Sequence, residues 1–171
     1  LSDVRPLAPA ITVVPSDVDV LVVVHPKQLP EGARYAIDQF VLGGGRAVVF
    51  ADPLCEADTP PADPQNPFAA MQADRGSDLP ELFAAWGLRL VPELVAADRT
   101  YSQRVTLGQQ GDAVEYVVWN RFTGDENFNR EEAVTGQLTA ITVAQAGILE
   151  PLEGAATEFT PLLQTSEQGA R

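Results

Sequence analysis

His25 is the only histidine of the chain, and it stands at the carboxyl end of an apolar run, in VVVHPK. An imidazole can hold or move a proton near neutral pH, and the carboxyl ends of parallel strands are where open α/β sheets bind ligands. No nucleophile or carboxylate lies at motif spacing from it, so the sequence equally admits a strand-end histidine bonded to backbone, with Pro26 forcing the turn. A second group follows residue 51: Asp52, Glu56 and Asp58, with Asp63 further along. Carboxylates grouped in this way suit a hard cation such as calcium or magnesium. Their spacing does not match an EF-hand loop, a solvated loop face is the competing reading, and no metal is assigned. Asp125, Glu126, Glu131 and Glu132 read in the same way, as surface. A third patch, Trp119-Asn120-Arg121-Phe122, mixes aromatic side chains with arginine as protein interfaces do. The candidates for ligand or protein contact are therefore His25, Asp52, Glu56, Trp119 and Arg121, with no catalytic residue and no cofactor assigned.

Several chemistries are excluded by motif. Gly43-Gly44-Gly45 lies between a helix and the next strand, whereas a dinucleotide fingerprint needs its glycines between a strand and the following helix. The triplet reads as a helix cap and turn. There is no Walker A lysine motif, no G-x-S-x-G elbow and no Cys/His cluster with zinc spacing.

The groups near His25 and Asp52 must be positioned by residues 18–53, which read as strand, helix, strand. Residues 19–24 form a β-branched apolar run expected to be buried on both faces. Pro30 suits the first helical position, and Ala33, Ile37, Phe40 and Val41 recur at helical steps. Residues 47–51 form the second strand, and such a unit pairs in parallel with a right-handed crossover. Short extended pieces are expected at 4–7 and 11–14, interrupted by Pro6, Pro9 and Pro15. Residues 52–76 carry five prolines and read as a long loop leaving the ligand-binding end of the sheet. Asp78 and Glu81 then suggest a capping box for a helix carrying Leu79, Leu82, Phe83 and Trp86, before a third core strand at 88–91.

After Pro92 the pattern turns β-rich. Residues 103–107 and 113–119 read as a hairpin, 123–129 as a polar loop, and 129–137 as a short helix capped by Asn129 and Glu132. Strands are expected at 138–144, 148–152 and 159–163, followed by a frayed polar tail. The fold class is α/β: one domain with a parallel βαβ core over about 1–92 and an added β-hairpin region over about 93–171.

DVDVLVVVHPKQL and YAIDQFVLGGGRAVVFADP, followed in order by DLPELFAAWGLRL, EYVVWNRF, AVTGQLTAITVAQAGIL and TPLLQTS, carry a family resemblance. Together they resemble the soluble domain of GldG-type auxiliary components of ABC transport systems, a gliding-motility-related family. The resemblance implies an extracytoplasmic domain held by transmembrane helices outside this chain. It implies permease and ATPase subunits of an ABC transporter as partners, with an envelope ligand as a further candidate. It also implies a fold related to class I glutamine-amidotransferase-like domains. Those enzymes place their cysteine on a glycine-flanked elbow, whereas Cys55 stands in DPLCEAD and is followed by proline-rich loop. The expectation is a non-enzymatic accessory domain for assembly or ligand binding; the alternative is a small-molecule or carbohydrate hydrolase using His25 and nearby carboxylates.

Composition agrees with a water-soluble globular piece. The chain has 171 residues, 45% of them hydrophobic, and one cysteine, which cannot form an internal disulfide. Its formal charge of −13, from 24 acids against 11 bases, repels nucleic acid and anionic lipid. No apolar run approaches the roughly 20 residues of a membrane helix. The opening LSDVRPL does not read as a signal peptide, and the chain is expected to be a piece excised from a longer membrane-anchored protein.

Overall fold

The computed structural model describes residues 3–59, 66, 68, 72–106 and 111–170. Its elements in order are β1 (Val20–Val24), α1 (Glu31–Leu42), β2 (Arg46–Phe50), α2 (Pro80–Ala85), β3 (Leu88–Val95), β4 (Ala97–Asp98), β5 (Ser102–Thr106), β6 (Ala113–Phe122), a 3-10 turn (Asp125–Asn127), β7 (Ile141–Ala144), β8 (Gly147–Pro151) and β9 (Gly169–Ala170). The fold is mixed α/β with small sheets and few helices.

The β1–α1–β2 unit forms as its sequence dictates. β1 and β2 pair in parallel from Val20↔Arg46 to Val24↔Phe50. Pro30 sits one place earlier than expected, as the N-cap, where its carbonyl accepts the N–H groups of Ala33 and Arg34. Gly44 ends the turn at φ +91°, and a Cβ on Gly45 would come within 2.5 Å of the Phe40 ring, so neither position takes a larger residue without strain. Ala36 and Ile37 of α1 pack with Leu21, Leu79, Leu82, Phe83, Leu90 and Val14 in one core cluster.

That cluster covers a single face of the parallel pair. Leu21 is buried, but Val22, Val24 and Phe50 are 56%, 67% and 58% exposed. The expectation of β1 buried on both faces is thus corrected. Alternation sends Val20, Val22 and Val24 opposite to Leu21, and both helices contribute to the cluster on the Leu21 side.

The lead-in is not strand at 4–7 or 11–14; its prolines remove donors, and Leu7, Ile11 and Val14 serve instead as packing for the core. α2 begins at Pro80 with Leu79 as N-cap, and no capping box forms. Asp78 accepts the Leu79 N–H at 2.7 Å, while Glu81 pairs with Arg34 of α1 at 2.8 Å. β3 exists but does not join the parallel pair: it runs antiparallel to β8, from Leu88↔Pro151 to Leu90↔Leu149. Its ladder slips between Leu90 and Val95, where Pro92 has no N–H to give and Glu93 takes φ +58°.

The expected hairpin is present, with β5 and β6 antiparallel and β7 added beside β6; residues 107–110 of its loop lie outside the described residues. Three later expectations are corrected. Residues 129–137 form turns rather than a helix, because Asn129 spends its side chain on Glu131 N–H and Pro161 O. Around 159–163 there is only a single bridge, Phe128↔Leu163. The tail is tied down: β9 pairs with β4, and Asp98, fully buried, accepts Ser166 N–H at 2.6 Å, Ser166 Oγ–H at 3.0 Å and Thr100 N–H at 2.9 Å.

Candidate functional site: a polar junction at the ends of β1 and β2

His25 leaves β1 with φ +49°, a left-handed conformation that costs a non-glycine residue about 1 kcal/mol. Its N–H still donates to Phe50 O at 2.9 Å, so the parallel ladder carries through to this residue. The bend turns the ring and the following Lys27 toward the loop after β2. There His25 Nε2 lies 3.3 Å and Lys27 Nζ 2.6 Å from the same oxygen, Asp58 Oδ2. Lys27 also donates to Asp74 O at 2.7 Å. The Lys27 hydrogen bond first, and that of His25 second, hold the Asp58 carboxyl below its ordinary range, so it is an anion at neutral pH. The tautomer that donates to Asp58 carries its proton on Nε2, which leaves Nδ1 a buried acceptor with no partner among the described residues.

Arg75 holds the loop from the other side. Its Nε donates to Asp58 O at 2.8 Å and its Nη2 to Glu56 O at 2.5 Å, while its own carbonyl accepts Cys55 N–H at 3.0 Å. Asp52 and Ser77 bond reciprocally: Ser77 N–H to Asp52 O at 2.7 Å, and Asp52 N–H to Ser77 Oγ at 3.1 Å. The Asp52 carboxylate is occupied in a local turn, accepting Leu54 N–H at 2.9 Å. From the β-rich part, Trp119 Nε1 donates to Glu56 Oε1 at 3.3 Å, and Tyr116 packs edge-on to the Trp119 ring at 5.7 Å. The first residue of β8 also approaches: a Cβ on Gly147 would lie 2.9 Å from the Pro53 ring.

The structure therefore brings His25, Asp58, Glu56 and Trp119 to one junction, and leaves Asp52 beneath it as a turn residue. Arg121 stands apart, exposed on β6 and directed at Thr142 Oγ1 of β7 at 3.4 Å. Sequence reasoning passed over Lys27 and Arg75. Both carried a signal, since Lys27 is the only lysine of the chain and Arg75 the only base in the acidic stretch 52–76.

Chemically, the junction is a network of hydrogen bonds that leaves His25 Nδ1 without a partner among the described residues. The His25–Asp58 pair orients an imidazole, as acid–base sites do, yet no bond joins it to the half-buried Cys55 thiol among the described residues. No group of three metal-ligating side chains occurs among the described residues. The side chains that remain exposed at the rim are Glu56 and part of Trp119, which suit contact with another surface.

The class defined so far is a mixed α/β domain whose two parts meet at a polar loop junction. Comparison with known families narrows it: residues 2–171 match the model of the family described as ABC-type uncharacterized transport system, an auxiliary ABC transport family, and the chain belongs to it. No curated protein and no solved structure matches the chain. No helix among the described residues is long and apolar enough to cross a membrane.

Proposed function

We propose that this chain is a non-enzymatic accessory domain of an ABC-type transport system that works by protein–protein assembly at the His25–Asp58–Glu56–Trp119 junction. The observation that carries the reading is the family match over residues 2–171. Support comes from the junction itself, whose carboxylate is already neutralised by Lys27 and whose backbone is fixed by Arg75, so that Glu56 and Trp119 are presented in a set geometry. The finer reading is a GldG-type domain on the extracytoplasmic side, anchored by transmembrane helices outside this chain, with a fold related to the amidotransferase-like α/β domains. Its partners are then the permease and ATPase subunits, and an envelope ligand is the second class of partner. Isolation of the full-length protein from its own membranes, read by mass spectrometry, tests this: both transporter subunits are expected, and their absence refutes it.

The hydrolase alternative draws on one observation, the His25–Asp58 pair. It requires His25→Ala to abolish turnover of an ester, amide or glycoside by the purified chain. The assembly reading expects no such turnover from either form.

A further inference from the structure

A cavity of about 660 Å3 lies between β8 and residues 159–165, lined chiefly by Ile148, Leu149, Phe159, Pro161, Leu162 and Leu163. None of the junction residues His25, Glu56, Asp58 and Trp119 lines it. Both walls have main-chain hydrogen-bonding capacity to spare. In the β3–β8 ladder Leu152 N–H donates to Gly87 O, so 87 and 152 are a bonded pair, and alternation makes 90 and 149 a non-bonded one. The N–H and C=O of Leu149 therefore point away from β3. Across the cavity, Asn129 N–H donates to Leu162 O and Gln164 N–H to Asn127 O. That arrangement directs the N–H and C=O of Leu163 to the opposite side of its segment. Among the described residues these groups of Leu149 and Leu163 have no partner. Glu158 and Glu167, just outside the two ends of the 159–165 wall, are exposed and form no ion pair among the described residues.

We propose that this groove takes an extended, cationic segment of a partner protein as an added strand along β8. The incoming main chain bonds Leu149 and turns its other edge toward Leu163. Alternate apolar side chains enter the groove, and lysine or arginine meets Glu158 and Glu167. Strand addition of this kind draws affinity from main-chain bonds and selectivity from the side-chain pockets between them. A charge of −13 favours a basic segment over an acidic one. The inference goes beyond the transport reading and stands without it.

The test is a titration of the whole chain with a labelled Lys-Val-Arg-Val-Lys-Val hexapeptide, followed by anisotropy and by amide NMR shifts. Saturable binding is expected, with shifts centred on Leu149 and Leu163. N-methylation of alternate peptide amides should weaken it about tenfold, because main-chain donors are lost while the protein is untouched. Glu158→Gln with Glu167→Gln should weaken it about threefold at low salt. No saturation, equal affinity for the N-methylated peptide, equal affinity for Glu-Val-Glu-Val-Glu-Val, or shifts centred elsewhere would each overturn the proposal. Self-association of the peptide-free chain that Leu149→Pro abolishes would overturn it too, in favour of a second copy of this chain on the same edge.

Discussion

Arg75→Ala is the perturbation that bears most directly on how the junction is held. The guanidinium makes two charge-assisted bonds to loop carbonyls, at 2.8 Å to Asp58 O and 2.5 Å to Glu56 O. Bonds to a charged donor contribute about 1.5–3 kcal/mol each when desolvated, so the pair sets an upper limit of about 3–6 kcal/mol. Arg75 is half-buried and Glu56 exposed, so water replaces much of what is lost, and about 1–2 kcal/mol of local destabilisation is expected. That corresponds to about 5- to 30-fold more frequent opening of the loop. Amide hydrogen exchange reads it at Cys55 and Asp58, whose N–H groups bond to Arg75 O and Cys55 O. Exchange at Val23 and Val49, in the parallel ladder, should not change. Arg75→Lys restores the charge without the two-pronged geometry and should recover less than half of the protection. Unchanged exchange at Cys55 and Asp58 would refute the clamp, and faster exchange throughout the chain would show that Arg75 supports the whole fold instead.

Acid should loosen the same junction. Asp58 has a folded pKa below its reference value of 3.8, so its contribution is complete above that value and is lost as pH falls through the lower folded value. Protection of the Asp58 loop should therefore hold from neutrality to about pH 4 and decline below it, and Asp58→Asn should remove that acid dependence. Asp98→Ala strips three bonds from a buried site and should cost about 3 kcal/mol, lowering Tm by about 6–12 °C in calorimetry; a loss under about 1 kcal/mol would deny Asp98 its role in tying the tail. Gly87→Ala adds a Cβ at φ +82°, 2.4 Å from Thr157 Oγ1, and should destabilise by about 2 kcal/mol in urea unfolding.

The parts legible in the sequence were those whose causes are local. The apolar run at 19–24, the helical spacing of Ala33, Ile37 and Phe40, and the glycine triplet specify β1, α1 and β2 within one stretch of chain. The hairpin of β5 and β6 is local in the same sense. What escaped depends on distant partners. β3 pairs with β8, where Arg89 and Glu150 are 61 residues apart, and nothing near Leu88 announces that choice. Asp98 resembles any surface acid until Ser166, 68 residues on, closes over it. His25 was visible as a strand-end histidine, but Asp58, 33 residues away, lay in an acidic group with no feature to single it out. The five consecutive β-branched or leucine positions of β1 carry no record of which face is covered, because the covering helices lie elsewhere in the chain.

The central claim is that the junction serves assembly and performs no chemistry. It is tested most directly by co-purifying the full-length protein from its native membranes in three forms: wild type, His25→Ala and Trp119→Ala. The assembly account predicts equal recovery of permease and ATPase subunits with wild type and His25→Ala, and a loss of recovery with Trp119→Ala. Recovery unaffected by Trp119→Ala, together with transport abolished by His25→Ala in an intact complex, would contradict it and point to chemistry at the imidazole.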